Sequence, residues 1–315
     1  MNPKDVNMVC YHSPCQDGSG SAWIAHKYAR ENDLTYTFVG MSHNKDNQLY
    51  DIEGKNILFV DYAPTDELIE QMKNDKVAGF YILDHHITNQ KRMEKYDNCI
   101  FDMKKSGAGL TWEYFYPGTE MPLFLQMIQD RDIWTFQLEN TRNFCDGLFT
   151  HSALTQSREE LFELFDKVYN EPAFEQEILN LGSIMSQKKM NSIKHIAESH
   201  KDQKYEYYGK RVFMFNCNHE LASDLGNYMT KNYDYDFAVC WRYDHINEEY
   251  RYSLRSCGDM DVSQICKQYG GGGHKNAAGC SSKIHPVQLF HQPSFRENVV
   301  QLVKNNWRAL RLMLR

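Results

Sequence analysis

Polar side chains that can bind a cation follow apolar runs at several places in the first half of the sequence. They close "MVCY", "ILFV" and "FYIL" and are His12, Asp61, Asp84, His85 and His86. Carboxylate and imidazole groups suit hard or borderline divalent cations such as Mn²⁺, whereas structural Zn²⁺ prefers thiolates. The pattern indicates a mixed metal site, although each motif taken alone also fits a polar turn after a strand.

Two further segments add carboxylates to this set. In "HSPCQDGSGSAW", Asp17 follows His12 on one loop, and the glycines would let the backbone approach a ligand closely. Asp17 could instead cap the helix that begins there. The segment "QDRDIW" supplies Asp130 and Asp132, of which we favour Asp130 as the ligand.

The set suits hydrolysis of a phosphate ester. Two cations about 3.5–4 Å apart and bridged by one carboxylate would activate a water for in-line attack on phosphorus. Because successive strand residues point to opposite sides, we expect one of His85 and His86 to meet the metal and the other the substrate. Asp84 could then accept a hydrogen bond from one of these imidazoles and fix its orientation.

The sequence around these residues predicts an α/β fold. Strands in "NMVCYH", "YTFVG", "NILFVD" and "GFYILD" alternate with helices, one of which begins after Thr65 as its N-cap. This rhythm predicts a parallel sheet with helices on both faces. Ligands of such sheets bind at the carboxyl ends of the strands, where the polar residues lie.

The rest of the chain divides into three predicted parts after a catalytic domain over residues 1–150. Residues 151–204 form a helical connector, residues 205–290 a second and smaller α/β domain, and residues 291–315 a basic amphipathic helix. In the second domain, four consecutive glycines precede His274 and would expose backbone N–H groups to an anion. A glycine-rich segment is also typical of a flexible loop.

Composition excludes several classes of protein. With 42% hydrophobic and 24% charged residues, no run is long enough for a membrane span. The net charge of −7 argues against a broad basic face for long duplex DNA. Nine scattered cysteines without a Cys-x-x-Cys pair, and a polar start without a signal-like apolar stretch, lead us to expect a reducing, cytoplasmic location.

Taken together, the "H…DG" loop, the isolated Asp, "DHH" and "GGGGHKNAAG" resemble the DHH phosphoesterases that carry a C-terminal DHHA1 domain. The resemblance implies an N-terminal parallel-sheet DHH domain and a smaller α/β DHHA1 domain joined by the helical connector. It implies that Asp61 bridges two ions, that His86 contacts the phosphate and that Asp84 is the orienting aspartate. The implied metal ligands are His12, Asp17, Asp61, His85 and Asp130.

The sequence departs from the family pattern at one position, since Cys15 stands where the first loop usually has an Asp. A thiol could bind Mn²⁺ weakly, or fewer protein ligands hold the first ion. In the DHHA1 domain the resemblance implies that a terminal nucleotide is held by Arg255, Gly271, Gly272, Gly273 and His274. Trp241 could stack a base, but core packing is its expected role.

We therefore expect a phosphodiesterase with two Mn²⁺ ions, which Mg²⁺ or Co²⁺ could replace. It would hydrolyse short single-stranded oligonucleotides or small nucleotides to mononucleotides. A cyclic nucleotide phosphodiesterase, a pAp-type phosphatase and a non-catalytic nucleotide sensor are the alternatives, the last because of Cys15. A homodimer is left open.

Overall fold

The computed structural model describes residues 1–42, 48–151 and 157–292. The chain forms two compact units, Met1–Lys188 and Lys189–Arg315. Apart from residues 291 and 292, the predicted C-terminal helix lies outside the described residues. Within the described ranges, no helix combines the length and the hydropathy needed to cross a bilayer.

The first unit is built on a five-stranded sheet in which every pair of neighbours is parallel. Its strands are β1 (Met8–His12), β2 (Thr37–Met41), β3 (Asn56–Val60), β4 (Gly79–Asp84) and β5 (Cys99–Phe101). Their order across the sheet is β2-β1-β3-β4-β5. The predicted α/β fold with a parallel N-terminal sheet is confirmed.

Helices cover both faces of this sheet because its strands are apolar on both sides. Val9 and Tyr11 of β1 pack into one core, and Met8 and Cys10 pack into the other. The helices are α1 (Gln16–Glu31), α2 (Asp66–Asn74), α3 (Gln90–Met93), α4 (Gly107–Phe115), α5 (Leu123–Asp132), α6 (Thr141–Thr150), α7 (Arg158–Asn170) and α8 (Pro172–His200). As predicted, Thr65 caps α2 by accepting the N–H of Leu68 at 3.2 Å.

The strand order reverses between β1 and β3, since the chain runs from β1 to β2 on one side and then crosses from β2 to β3 on the other side of β1. At such a point the connections diverge and open a crevice at the carboxyl ends of the strands. His12 ends β1, and Asp61 follows β3 directly. The topology therefore brings these two residues to the mouth of the crevice.

The predicted connector contributes to the first unit. Phe162 and Phe165 of α7 and Ile178 of α8 are buried in the core formed with α1, α4 and α5. The division between the units falls within α8, at Lys188 and Lys189. The boundaries at residues 150 and 204 remain predictions.

The second unit has a six-stranded mixed sheet in the order β10-β11-β9-β8-β7-β6. Only β7 and β8 pair in parallel; the other pairs among the described strands are antiparallel. The strands are β6 (Tyr205–Tyr207), β7 (Lys210–Asn216), β8 (Phe237–Asp244), β9 (Glu249–Ser256), β10 (Gly272–His274) and β11 (Ala277–Ser282). The helices are α9 (His219–Asn232), α10 (Val262–Lys267) and α11 (Pro286–Phe290).

The glycine run does not form a flexible loop, and not all of its N–H groups are exposed. The N–H of Gly271 donates to the carbonyl of Cys266 at 2.9 Å, so it cannot cradle an anion as the sequence suggested. Gly272 and Gly273 lie in β10, paired with β11. Gly273 has a φ of +138°, and a Cβ there would lie 2.5 Å from the carbonyl oxygen of Ala277. Glycine is thus required by close backbone packing.

Candidate metal centre

The strand ends bring histidines and carboxylates together around the side chain of Asp61. Its Oδ1 lies 3.1 Å from Nε2 of His85 and 3.9 Å from Nδ1 of His86. Its Oδ2 lies 3.4 Å from Nδ1 of His12. Because Asp61 contacts all three imidazoles, its position fits the predicted role of a bridging carboxylate.

The backbone around Asp61 is shaped for this contact. Asp61 has a φ of +54°, in the left-handed region that Asp and Asn tolerate better than most side chains. Its N–H donates to the carbonyl of Leu83 at 2.9 Å, which ties the turn to β4. A Cβ on Gly107 would lie 2.3 Å from the Cβ of Asp61, so only glycine lets α4 begin at this point.

Asp17 reaches the same cluster from the first turn of α1. Its Oδ2 lies 3.7 Å from Nε2 of His85. Its carboxylate also accepts the N–H groups of Gly107 at 2.6 Å and Ala108 at 2.9 Å. Asp17 therefore caps a helix, but that helix is α4 and not its own, a tertiary contact that the sequence did not reveal.

The structure corrects the preference for Asp130. Both of its carboxylate oxygens are engaged away from the cluster, accepting hydrogen bonds from Thr135 Oγ1, Gln137 N, Leu138 N and Thr141 Oγ1 at 2.5–3.0 Å. Asp132 instead faces the histidines, with Oδ2 3.3 Å from Nε2 of His85. Asp132, Asp17 and His85 each place one potential ligand atom within 4.8 Å of the others.

The "DHH" triplet differs from the prediction in how its two histidines are placed relative to each other. β4 ends at Asp84, so strand alternation no longer separates His85 from His86. Their ring centroids lie 4.5 Å apart, and both rings approach Asp61. Asp84 is fully buried and accepts from Nδ1 of His86 at 2.7 Å and from the side-chain amide of Asn89 at 2.7 Å. It thus lies where an orienting aspartate is needed.

Cys15 lies at the N-terminus of α1, beside His12 and Asp61. One potential ligand atom of each of these three residues lies within 4.8 Å of the others. Burial, together with the nearby carboxylates of Asp61, Asp132 and Asp17, raises the pKa of the Cys15 thiol well above its usual value. The thiol therefore stays protonated unless a cation offsets these carboxylates.

The charges of the cluster favour a cation. Burial and the neighbouring carboxylates of Asp61 and Asp132 raise the pKa of Asp17 well above its usual value. Burial also raises the pKa of Asp132, with Asp61 adding to the effect. Burial alone would raise the pKa of Asp61 as well, but its contacts with the imidazoles of His12 and His85 hold it well below its usual range.

The histidines respond to the same charges. Burial by itself would lower the pKa of His85, but the hydrogen bond to Asp61 and the charges of Asp132 and Asp17 raise it well above its usual value. The pKa of His86 is also raised, because Asp84 outweighs the effect of burial. In the described part of the chain, the ion pairs of Asp17, Asp61 and Asp132 are all with histidine.

The donor set therefore fits divalent cations. Oδ2 of Asp61 is buried and makes no hydrogen bond of normal geometry with any described residue. A buried carboxylate oxygen in that state is costly unless a cation meets it. Oxygen and imidazole ligands in this number suit Mn²⁺, Mg²⁺ or Co²⁺ better than a structural zinc ion.

In the second unit, sheet register aligns two of the predicted substrate-binding residues. Arg255 of β9 pairs with Ala277 of β11, which in turn pairs with His274 of β10. Directly paired residues point to one face, so both side chains lie on the same side of the sheet with a small residue between them. Arg255 also donates to Oγ of Ser223 at 2.6 Å. Trp241 packs against the core of this unit, with Tyr250 and His285 at its ring.

Comparison with known proteins gives relatives along most of the chain. Uncharacterized protein R106 of Acanthamoeba polyphaga mimivirus is 33% identical over 300 residues, which cover 88% of this chain and 68% of the viral protein. A 3′,5′-cyclic-nucleotide phosphodiesterase of Helicobacter pylori is 22% identical over 76% of this chain and 78% of its own length. No family model matches the chain.

The fold is shared with a solved structure. An exopolyphosphatase-related protein from Bacteroides fragilis aligns with a TM-score of 0.53 and 18% identity, covering 91% of this chain and 90% of its own. The parallel sheet with its histidine–carboxylate cluster, and the second α/β unit, define a two-part phosphoesterase. The chain belongs to the DHH/DHHA1 phosphoesterase family. It is a metal-dependent hydrolase of phosphate esters, so the alternative of a non-catalytic sensor is not retained.

Proposed function

We propose that the enzyme hydrolyses phosphodiester bonds in short single-stranded oligonucleotides or small nucleotides and releases mononucleotides. The observation that carries the proposal is the buried carboxylate of Asp61, which contacts three imidazoles and whose Oδ2 makes no hydrogen bond of normal geometry with any described residue. The H. pylori relative, named as a cyclic-nucleotide phosphodiesterase, supports a nucleotide substrate.

The residues that would hold two cations fall into two groups around Asp61. His12 and Asp61, with Cys15 beside them, face one position, and Asp17, His85 and Asp132 face the other. Divalent cations at these positions would supply Lewis acidity and lower the pKa of a bound water. We propose Mn²⁺ as the preferred cation because the ligands are mainly oxygen and imidazole.

His86 would bind the substrate phosphate. Asp84 accepts a hydrogen bond from its Nδ1 at 2.7 Å, which fixes the ring, and the charge of Asp84 raises the pKa of the imidazole above its usual value. A fixed imidazolium donates a charge-assisted hydrogen bond to a phosphate oxygen and stabilises the charge that develops there. Asp84 thus acts through His86 and does not touch the substrate.

The second unit would contribute residues that bind the nucleotide. Arg255 offers a planar guanidinium that can bind a phosphate through two hydrogen bonds. His274 lies in the same row of the sheet, two strands away. Gly272 and Gly273 lie beside His274 in β10, whereas the N–H of Gly271 is already used by Cys266. This assignment leads us to expect effects of Arg255 on substrate affinity more than on turnover.

The test is a metal-dependent activity screen. Protein stripped with EDTA and supplied with Mn²⁺, Mg²⁺ or Co²⁺ is given dinucleotides, longer single strands, cyclic dinucleotides and pAp. We expect Mn²⁺-stimulated release of mononucleotides, fastest from the shortest strands. The Asp61→Asn variant keeps the left-handed backbone because Asn tolerates it, and it should lose activity by at least about 10²–10³-fold. Activity of this variant at the wild-type level would refute the site.

A cyclic nucleotide phosphodiesterase is the second candidate, favoured by the name of the H. pylori relative. The same metal centre serves both reactions, since each breaks a phosphodiester bond. The two candidates differ in the substrate that is cleaved first: a 3′,5′-cyclic nucleotide opens directly to a mononucleotide, whereas a linear dinucleotide is split in two. A faster initial rate on 3′,5′-cyclic nucleotides than on linear dinucleotides would favour this candidate.

A further inference from the structure

The segment between α5 and α6 has no role in the chemistry proposed so far. We refer to residues 133–142, which are this segment and the first two residues of α6, as the aromatic loop, because Trp134 and Phe136 lie in it. It begins directly after Asp132, whose carboxylate faces the histidines of the metal centre. Consecutive Cα atoms are 3.80 Å apart, so the Cα of Trp134 lies within about 7.6 Å of that of Asp132. The loop therefore starts beside the metal centre.

The loop is held in one conformation by the carboxylate that the sequence had suggested as a metal ligand. Asp130 accepts hydrogen bonds from the backbone N–H groups of Gln137 and Leu138 and from the hydroxyls of Thr135 and Thr141. The backbone carbonyl of Asp130 also accepts the N–H of Thr135 at 2.9 Å. A charged acceptor with several donors is a strong anchor, so the loop is preorganised.

The backbone of the loop is strained at its aromatic residues. Trp134 has a φ of +61°, Phe136 of +49° and Asn140 of +68°. The left-handed region is rarely occupied by bulky side chains. Such conformations persist where surrounding contacts impose them, and they cluster at ligand clamps and active sites.

The aromatic rings of the loop and the guanidinium groups beside them form a partly exposed cluster. The ring centroids of Trp134 and Phe136 lie 4.8 Å apart at 82°. The guanidinium carbon of Arg142 lies 3.8 Å from the Phe136 centroid and 5.8 Å from that of Trp134, and that of Arg131 lies 5.9 Å from Trp134. Neither ring belongs to the hydrophobic core of the described part of this unit.

An open cavity of about 210 Å³ adjoins this group. Its lining residues are Phe136, Leu138, Asn140, Thr141, Arg142 and Asn143. A hollow lined by an aromatic ring, a guanidinium plane and two amides offers stacking together with hydrogen-bond donors and acceptors. These are the contacts that nucleobases make in binding sites for single strands.

We propose that the aromatic loop is a subsite for a nucleobase of the substrate, with Trp134 and Phe136 as the stacking surface and Arg142 as the guanidinium plane. The inference rests on the proposed nucleotide phosphodiesterase and names the part of the substrate bound beside the metal centre. Since every base has a π-face, the subsite discriminates weakly among the four bases. Trp134 and Arg142 bind the substrate and take no part in breaking the bond.

The first experiment compares a dinucleotide with an abasic dinucleotide that has the same phosphodiester but lacks the base. We expect Trp134→Ala to raise KM for the dinucleotide by about 5- to 150-fold, the effect of losing one stacked base, with kcat little changed. KM for the abasic compound should stay at the wild-type value. Trp134→Phe, which keeps a ring, should recover most of the affinity.

The matched control is Tyr50→Ala, which removes an exposed aromatic ring of the same unit that lies outside the loop. It should leave KM for both compounds unchanged. Equal changes in KM for both compounds in Trp134→Ala, or no change for either, would overturn the subsite while leaving the phosphodiesterase intact.

The second experiment needs neither turnover nor metal. AMP is titrated in EDTA into the wild-type protein and into Trp134→Phe, and tryptophan emission is measured. Quenching in the wild type that is lost in Trp134→Phe supports the subsite even if every phosphodiester proves inert, an outcome that would refute the proposed function alone. Identical titrations in the two proteins would overturn the subsite, and this result does not depend on whether Trp134→Ala folds.

Discussion

The two units hold their polar residues in opposite ways. In the first unit, the carboxylates of Asp17, Asp61 and Asp132 converge in a largely buried cluster whose ion pairs, among the described residues, are only with histidine. In the second unit, Arg255 is bonded to Ser223, and the N–H of Gly271 is bonded to Cys266. A cluster of carboxylates that pair only with histidine suits a cation and so suits chemistry, whereas polar groups held by hydrogen bonds on a sheet suit recognition.

Substitutions in the two units should therefore have different effects. Changes around Asp61 should act on turnover and metal binding, and changes around Arg255 should act on KM. A variant of the second unit that abolished metal binding would contradict this division of roles, and variants there that change only KM would support it.

The largest effect is expected from a pair of variants two residues apart on α5. Asp132→Asn should lower kcat by about 10²–10³-fold, because it removes a charge that faces the metal position. It should not destabilise the protein, since it relieves repulsion among buried carboxylates. Isothermal titration with Mn²⁺, kinetics and thermal unfolding would measure these effects.

Asp130→Asn is the control for Asp132→Asn and should have the opposite effects. It should keep Mn²⁺ binding and kcat but lower the free energy of unfolding by about 1–3 kcal/mol, because an amide cannot accept all four hydrogen bonds. If Asp130→Asn lost metal binding and Asp132→Asn kept it, the ligand assignment would have to be reversed.

A backbone variant should have the next largest effect. Gly107→Ala places a Cβ 2.3 Å from the Cβ of Asp61, so either α4 or Asp61 must move. A displacement of about 1 Å at a reacting centre costs on the order of 10²-fold in rate. The control is Gly279→Ala in the second unit, where the new Cβ meets its nearest atom at 3.4 Å, an ordinary contact. Equal losses of activity in both variants would contradict a special role for Gly107.

A smaller effect is expected in the second unit. Arg255→Lys removes the planar pair of donors and should raise KM at least about tenfold, since a hydrogen bond to a charged group is worth about 1.5–3 kcal/mol. Affinity for Mn²⁺ and kcat should not change. Arg251→Lys on the same strand is the control, because Arg251 is paired with Asp244 at 2.9 Å. A fall in kcat without a change in KM would place Arg255 in the chemistry instead.

The smallest effect should be a change in metal preference. Cys15→Asp replaces a soft ligand with a hard one, so the ratio of Co²⁺ affinity to Mn²⁺ affinity should fall a few-fold. The Co²⁺ form of the wild type should show a sulfur-to-metal charge-transfer band that is absent in Cys15→Ser. A Co²⁺ spectrum that is the same in both proteins would exclude Cys15 as a ligand.

Much of the first unit could be predicted from sequence because local patterns determine it. Asp61 and the "DHH" triplet follow apolar strands, and strand ends of a parallel sheet meet at one edge, so their convergence follows from topology. The choice between Asp130 and Asp132 could not be made, because both lie in the last turn of α5. It depends on where residues 135–141 place their hydrogen-bond donors, which is a property of the folded loop.

Two further features depend on tertiary contacts that the sequence does not reveal. The sequence indicates a ligand or a cap of its own helix at Asp17, whereas the structure shows its carboxylate at the N-terminus of α4. The glycine run predicts exposed backbone, yet glycine is required at Gly273 by the close approach of β11. The partner of Asp17 is distant in the sequence, and that of Gly273 is brought close by the pairing of strands.

The left-handed conformation of Asp61 has a consequence for the evolution of this chain. Few side chains tolerate a φ of +54°, and Asn is one of them. Asp and Asn codons differ by one base, so a single mutation would remove the central charge and leave the turn, the sheet and the helix contacts in place. Descendants that keep the fold and bind nucleotides without cleaving them are thus one step away, and an Asn at this position would identify them in a genome.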